Sequence, residues 1–247
     1  MSSEALSVQL YSVREALGTD LRSALERIAD IGFRQVELFG FTGRAEEYAS
    51  LLPQLGLTAP TAHADLLGED SSSVFAAARR IGVGTVILPF VDPERWNERA
   101  DVEALADALS ALAGPAADAG LKVGYHNHWF EFADFGGATA LEVFADRLDP
   151  AVVLELDTYW TAVGGVDPVA LLGRLGGRVR ALHIKDGPAT RDTTQQQPAG
   201  QGTLDVPAIL AAAPDALRVV EFDDYAGDVF DGLRASVDYL VNKGEAL

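Results

Sequence analysis

The sequence predicts an α/β fold of eight strand–helix units, for which a (β/α)8 barrel is a natural architecture. Three observations carry this expectation. Eight short β-rich runs recur along the 247 residues. Ala- and Leu-rich segments lie between them, several with apolar positions three and four residues apart. Ionisable residues cluster at the C-terminal ends of the apolar runs, which a barrel gathers into one ring. A doubly wound open sheet shares the alternation and stays open on periodicity alone. The first strand, however, runs VQLYSVREALG and carries neither a Gly-rich dinucleotide loop nor a P-loop.

Taken in order, strands are predicted at 7–11, 35–39, 57–63, 85–90, 122–126, 152–157, 179–185 and 217–222. Helices are predicted at 20–31, 43–55, 71–81, 99–119, 137–147, 167–175, 205–212 and 228–242. The segment DLRSALERIADIG shows the logic. Leu21, Leu25, Ile28 and Ala29 form one stripe, Thr19 supplies a capping hydroxyl, Asp20 suits the helix dipole, and Gly32 ends the helix. No linker or low-complexity run interrupts residues 1–247, so one domain is expected. The long irregular stretch is 186–205, DGPATRDTTQQQPAGQGTLD, after the seventh strand, where lids and substrate contacts gather in a barrel.

Composition narrows the function classes. The net charge of -18, from 37 acidic and 19 basic residues, repels nucleic-acid phosphates and anionic membranes. The absence of cysteine removes thiol chemistry, disulfides and Cys-ligated metal. The start MSSEALSVQLYS lacks a signal-peptide pattern and no apolar run reaches spanning length, so a soluble, cytoplasmic protein is expected.

The ends of the predicted strands hold the chemistry. His63 closes the third, His126 the fifth with His128 and Glu131 just beyond, Asp157 the sixth, His183 and Lys185 the seventh, and Glu221 the eighth. Glu131 to Asp157 and Asp157 to His183 are both 26 residues, about one βα unit each. Carboxylates converging on one centre rise in pKa or need a cation. Glu, Asp, His and Glu suit Mn²⁺, Mg²⁺, Co²⁺ or Zn²⁺. Singly, each residue has a plainer role: Asp157 before TYW suits a turn cap, and His183 a hydrogen-bonded core histidine. His126 and Glu131 compete for the first ligand place. His128 can exchange a proton near neutral pH. Trp129, Phe130, Phe132 and Trp160 can wall a pocket or simply pack.

The ordered pieces YHNHWFEF, LELDTYW, GGVDP, LHIKD and VVEFD resemble the sugar phosphate isomerase/epimerase superfamily, the xylose-isomerase-like TIM barrels, over nearly the whole chain. The resemblance implies a divalent ion at the top of the barrel, with Asp157, His183 and Glu221 as ligands. Many relatives have Glu where this chain has His126, and the nearby Glu131 is the expected fourth ligand, a departure that separates this site from a two-glutamate epimerase. It implies isomerisation or epimerisation of a sugar, keto-sugar or cyclitol by proton transfer through a metal-stabilised enediolate. Glu221, His128 and Glu131 are the expected acid/base groups and Lys185 an oxyanion partner. Glu37, His63, His126, Trp129, Trp160 and Lys185 are the expected substrate contacts, with Arg14 a further candidate. The sole basic candidate in the long loop is Arg191, which points to a neutral sugar. Relatives are often homodimers or homotetramers. Rival readings are a lyase eliminating from a 3-keto-glycoside or inosose, and a sugar-binding barrel without turnover. An abasic-DNA endonuclease of the same superfamily needs more histidines than four and a basic mouth.

Overall fold

Eight parallel strands close on themselves in sequence order in the computed structural model, which describes residues 6–245. They are β1 (Ser7–Gln9), β2 (Gln35–Phe39), β3 (Thr58–His63), β4 (Thr85–Leu88), β5 (Lys122–His126), β6 (Val153–Asp157), β7 (Val179–Ile184) and β8 (Leu217–Val220). β1 pairs with both β2 and β8, which closes the barrel.

Period-two alternation sorts each strand. On β6, Leu154 and Leu156 join the large core between strands and helices, while Glu155 and Asp157 take the other face. On β7, Leu182 and Ile184 face the same core, leaving Ala181 and His183 inside. Ala181, Leu217 and Val219 form a small separate apolar cluster within the barrel. Two residues further along β7 and β8 come His183 and Glu221, and two further Lys185 and Asp223. The interior thus changes from an apolar floor to a polar mouth.

Some local expectations are corrected. The first strand stops at Gln9, because Leu10–Val13 coils into a 3-10 turn capped by the Gln9 side chain. Asp20, not Thr19, caps Leu21–Ile31, accepting from the Ser23 amide at 3.1 Å; the Thr19 hydroxyl bonds back to Glu15 O at 3.0 Å. The helix predicted at 99–119 is two, Arg99–Ser110 and Ala113–Asp118. Pro115 lacks the N–H that a continuous helix would need there. Two short helices lie outside the predicted set: Arg14–Thr19 follows the 3-10 turn Leu10–Val13, and Thr158–Val163 follows β6 directly.

The stretch 186–205 is organised around one carboxylate. Asp186 is fully buried. Its Oδ1 accepts from the amides of Gly187 and Leu204 at 2.8 and 3.1 Å, and its Oδ2 from Gly200 at 3.0 Å. Gly202 is required: a Cβ there would sit 2.0 Å from the Gly187 nitrogen.

Candidate metal centre and active site

The polar interior has two tiers. In the lower tier, His63 Nε2 lies 2.7 Å from Glu155 Oε2 and 3.1 Å from Glu37 Oε1. His183 Nε2 lies 2.7 Å from Glu37 Oε1 and 3.1 Å from Glu155 Oε2. Burial opposes charge on every member, but mutual pairing outweighs it. The Glu37 and Glu155 charges lift His63 to about 10. Burial and Glu37 push Glu155 up, yet His183 and His63 bring it to about 2. The His63 charge and hydrogen bonds from both histidines likewise hold Glu37 well below the usual carboxylate range despite its burial. His126 Nδ1, 3.3 Å from Glu155 Oε2, is instead kept neutral by burial and by the His183 charge.

The upper tier joins the strand ends of β6 to β8. Asp157 caps Thr158–Val163 with Oδ1, accepting from the Trp160 amide at 2.7 Å, and turns Oδ2 to Lys185 Nζ at 2.9 Å. A turn cap and a site carboxylate are therefore the same residue. His183 Nδ1 is 2.7 Å from Glu221 Oε2. Lys185, 1% exposed, also meets Glu221 and, at 2.7 Å, Asp223 Oδ2. Burial alone would discharge this ammonium, but Asp157, Asp223 and Glu221 hold its pKa well above normal. Burial lifts Asp157 to about 6 against the pull of Lys185 and His183. Those same two cations keep Glu221 ionised.

Above both tiers opens a cavity of about 370 Å³ whose lining includes His63, His126, His128, Glu221 and the aromatic rings of Tyr11 and Phe90. His128 stands at its edge, stacked on Phe130 with ring centroids 5.5 Å apart. Burial lowers it to about 4, so it meets the cavity as a neutral base.

Other expected site residues lie elsewhere. Glu131 sits on the turn Phe130–Phe132, fully buried; its carboxylate accepts from the Tyr125 hydroxyl at 2.8 Å and the His128 amide at 3.0 Å. Burial raises it to about 8, so it is a neutral acid at pH 7. Glu37 is fully buried in the lower tier, beneath the mouth. Trp129 lies under the Arg191 guanidinium, 3.3 Å from its centroid, and so ties the 186–205 loop to the β5 loop. Trp160 backs His128 and Lys185, with its ring 6.2 Å from the first and 5.7 Å from the second. Arg14 donates to the carbonyls of Tyr11 and Asp223, bracing the ends of β1 and β8.

The donor set fits a divalent cation. Asp157, His183 and Glu221 each offer a ligand atom, all within 4.8 Å of one another. Glu131 does not join this group. His126 comes nearer, its Nε2 4.0 Å from Asp157 Oδ2. In a second group of donors with the same spacing, His63, His126, Glu155 and His183, the rings of His63 and His183 are already paired with Glu155. Five carboxyl groups (Glu37, Glu155, Asp157, Glu221 and Asp223) surround three groups held cationic (His63, His183 and Lys185), a shortfall of two positive charges. Glu37 Oε2 and Glu155 Oε1 are buried without a hydrogen-bond partner.

Sequence reasoning missed Glu155, Asp223, Gln9 and Gln196. Alternation was the available signal for the first two, since Glu155 precedes Asp157, and Asp223 follows Glu221, by two residues on the same face. Gln196 had none. It reaches from the long loop to donate to Asp223 Oδ2 at 2.7 Å and accept from the Asp223 amide at 2.8 Å.

The closed parallel barrel is of the TIM type, and its carboxylate–imidazole cluster lies at the C-terminal strand ends, the face at which TIM barrels carry their sites. The chain belongs to the xylose isomerase-like TIM barrel family, whose sequence profile matches residues 25–218. It is similar to the inosose dehydratase of Clostridium beijerinckii, 28% identical over 132 residues, which is 51% of this chain and 42% of that protein. It is also similar to the inosose dehydratase of Geobacillus kaustophilus, 38% identical over 108 residues, 38% of this chain and 33% of that one. The matches thus span less than half the length of these relatives. Among solved structures, a sugar phosphate isomerase/epimerase from Parabacteroides distasonis superposes with a TM-score of 0.83 at 24% identity, covering 97% of this chain and 94% of that one. The IolI protein, solved with a bound zinc atom, superposes with a TM-score of 0.75 at 16% identity, covering 97% of each. These two likenesses show the fold.

Proposed function

We propose that this chain is a divalent-metal-dependent enzyme that moves a proton at the carbon beside a carbonyl of a keto-sugar or cyclitol, isomerising or epimerising it. The observation that carries the reading is the convergence of Asp157, His183 and Glu221 beneath a cavity that His128 also faces. Asp157, His183 and Glu221 would hold the cation, with His126 the nearest further donor. When bound, the cation would polarise neighbouring substrate oxygens and stabilise the negative charge of an enediolate. Glu221, ionised and lining the cavity, is the group placed to take the α-proton, and neutral His128 is the second base. Lys185 keeps the carboxylates of Asp157 and Glu221 ionised and oriented. Glu131 supports the β5 loop through the His128 amide, and the aromatic rings of Tyr11 and Phe90 wall the substrate. Among the described residues no lysine or arginine lines the cavity, which favours a substrate without a phosphate group.

A second reading, loss of water or an aglycone from the same enolate, draws on two observations. The curated relatives named above are inosose dehydratases. Glu131 is also turned away from the cavity, bonded to the Tyr125 hydroxyl, so it does not supply a second carboxylate across the substrate from Glu221.

The test is incubation of the Mn²⁺-loaded protein in D₂O with free ketoses, 3-keto-glycosides and inososes, followed by NMR and mass analysis. Deuterium at the α-carbon with unchanged connectivity or a rearranged ketose supports isomerisation; loss of 18 mass units or of the aglycone supports elimination. Absence of exchange with every substrate class, in protein shown to hold the metal, sinks both.

A further inference from the structure

Resting on the metal-dependent reading, we propose that Glu37, held in place by Gln9, is the positioning residue for His183. It takes the Nε2–H of the ring, so that Nδ1 is the nitrogen presented to a cation shared with Asp157 and Glu221.

The argument begins at Gln9, at the end of β1. Its Oε1 accepts from the Tyr11 amide at 3.0 Å, so the side-chain amide has one orientation. Its Nε2 therefore points at Glu37 Oε1, 2.8 Å away, and that oxygen must accept. The same oxygen lies 2.7 Å from His183 Nε2. Glu155 Oε2, a second acceptor, is 3.1 Å from the same nitrogen. With Glu37 and Glu155 on this side and Glu221 on the other, the metal-free ring carries a proton on each nitrogen; a cation at Asp157 and Glu221 would displace the Nδ1 proton, while the Nε2–H stays on Glu37. The opposite nitrogen, Nδ1, faces Glu221 at 2.7 Å and Asp157 at 3.9 Å. Gln9, Glu37 and His183 are all fully buried, so water does not compete for these bonds. A carboxylate behind a liganding imidazole fixes its tautomer and raises its basicity. Here that carboxylate comes from β2, three strands round the barrel from β7.

The test compares Mn²⁺ and Zn²⁺ dissociation constants, by chelator competition, for the full chain, Glu37→Gln and Gln9→Ala. Melting of the metal-free proteins reports on folding. Glu37→Gln is expected to weaken binding by roughly 10–100-fold. Gln9→Ala should weaken it in the same direction by less, and it carries the test if Glu37→Gln does not fold. A purely structural role would lower melting of the metal-free protein and leave the dissociation constant of the folded variant unchanged. Wild-type affinity in a folded Glu37→Gln, or in Gln9→Ala where that variant carries the test, overturns the proposal while leaving the metal reading intact. A wild-type chain that binds neither ion overturns the metal reading and the proposal with it.

Discussion

Lys185 and Asp157 meet at 2.9 Å, Nζ to Oδ2, in a space closed to solvent. The ammonium is the permanent cation of the upper tier, shared with Glu221 and Asp223. Replacing it with an isosteric apolar group, Lys185→Met, leaves buried carboxylates without their partner. The expected loss is about 3–5 kcal/mol in chelator. It should shrink in saturating Mn²⁺, because a cation on Asp157 and Glu221 restores part of the charge balance. Chemical denaturation with and without the metal checks this; an identical loss in both conditions would count against a cation bound at these carboxylates.

Glu131 makes a pH prediction of definite sign. Its carboxyl titrates at about 8 in the folded chain, against 4.5 ordinarily, because burial disfavours its charge. The unfolded state releases the proton first as pH rises. Stability from this group is therefore full below pH 4.5 and is lost progressively up to pH 8. Glu131→Gln keeps a neutral group in place and should flatten that part of the profile, leaving the variant more stable than the parent at pH 9 by a few kcal/mol (order of magnitude). Metal-free denaturation across pH 4–9 is the measurement. The same variant should hold Mn²⁺ nearly as well as the parent, whereas Asp157→Asn should lose more than about 100-fold.

His63 acts over a higher window. Its folded value of about 10 lies above the ordinary 6.5 because Glu37 and Glu155 outweigh burial. Its contribution is fully present below pH 6.5 and disappears as pH climbs through 10. In His63→Asn the fall in metal-free stability between those values should be shallower. A slope unchanged from the parent would mean that His63 is not the titrating group.

Asp186 predicts a local effect. Its carboxylate holds three amides of the 186–205 stretch, and bonds to a charged acceptor contribute about 1.5–3 kcal/mol each. Asp186→Asn should speed amide exchange within 187–205 by at least about tenfold, since each 1.4 kcal/mol is a factor of ten, with little change in β1 to β4. Uniform acceleration across the barrel would show that the residue stabilises the whole fold instead.

Phe90, half exposed at the mouth, tests the binding wall. Phe90→Ala removes apolar contact, including its edge-on packing against His128 at 5.6 Å between ring centroids, while His128 keeps its stack on Phe130 and Glu221 keeps its bonds to His183 and Lys185. It should raise KM by roughly 3–10-fold with kcat nearly unchanged, the mark of binding equal in ground and transition states.

Much of this molecule can be read along the chain. Asp157, His183 and Glu221 announce themselves because an ionisable residue after an apolar run is costly unless it has a partner. Glu155 is legible too, one alternation step below Asp157 on the same face of the strand. Glu131 illustrates the opposite case. Its closeness to His128 in sequence is real, yet a single 3-10 turn rotates its carboxylate beneath Tyr125, and no periodicity records that rotation.

By themselves, the residues determined eight βα units and the strand ends at which ionisable groups stand, because alternation and apolar length are properties of local chain geometry. Which groups share protons and charge was decided only by closure of the barrel. Glu37 and His183 are 146 residues apart and bond across the interior; Gln196 reaches Asp223 from a loop without repeating pattern. Such contacts depend on distances between strands and on the direction a turn gives a side chain, and both are set by packing of the whole.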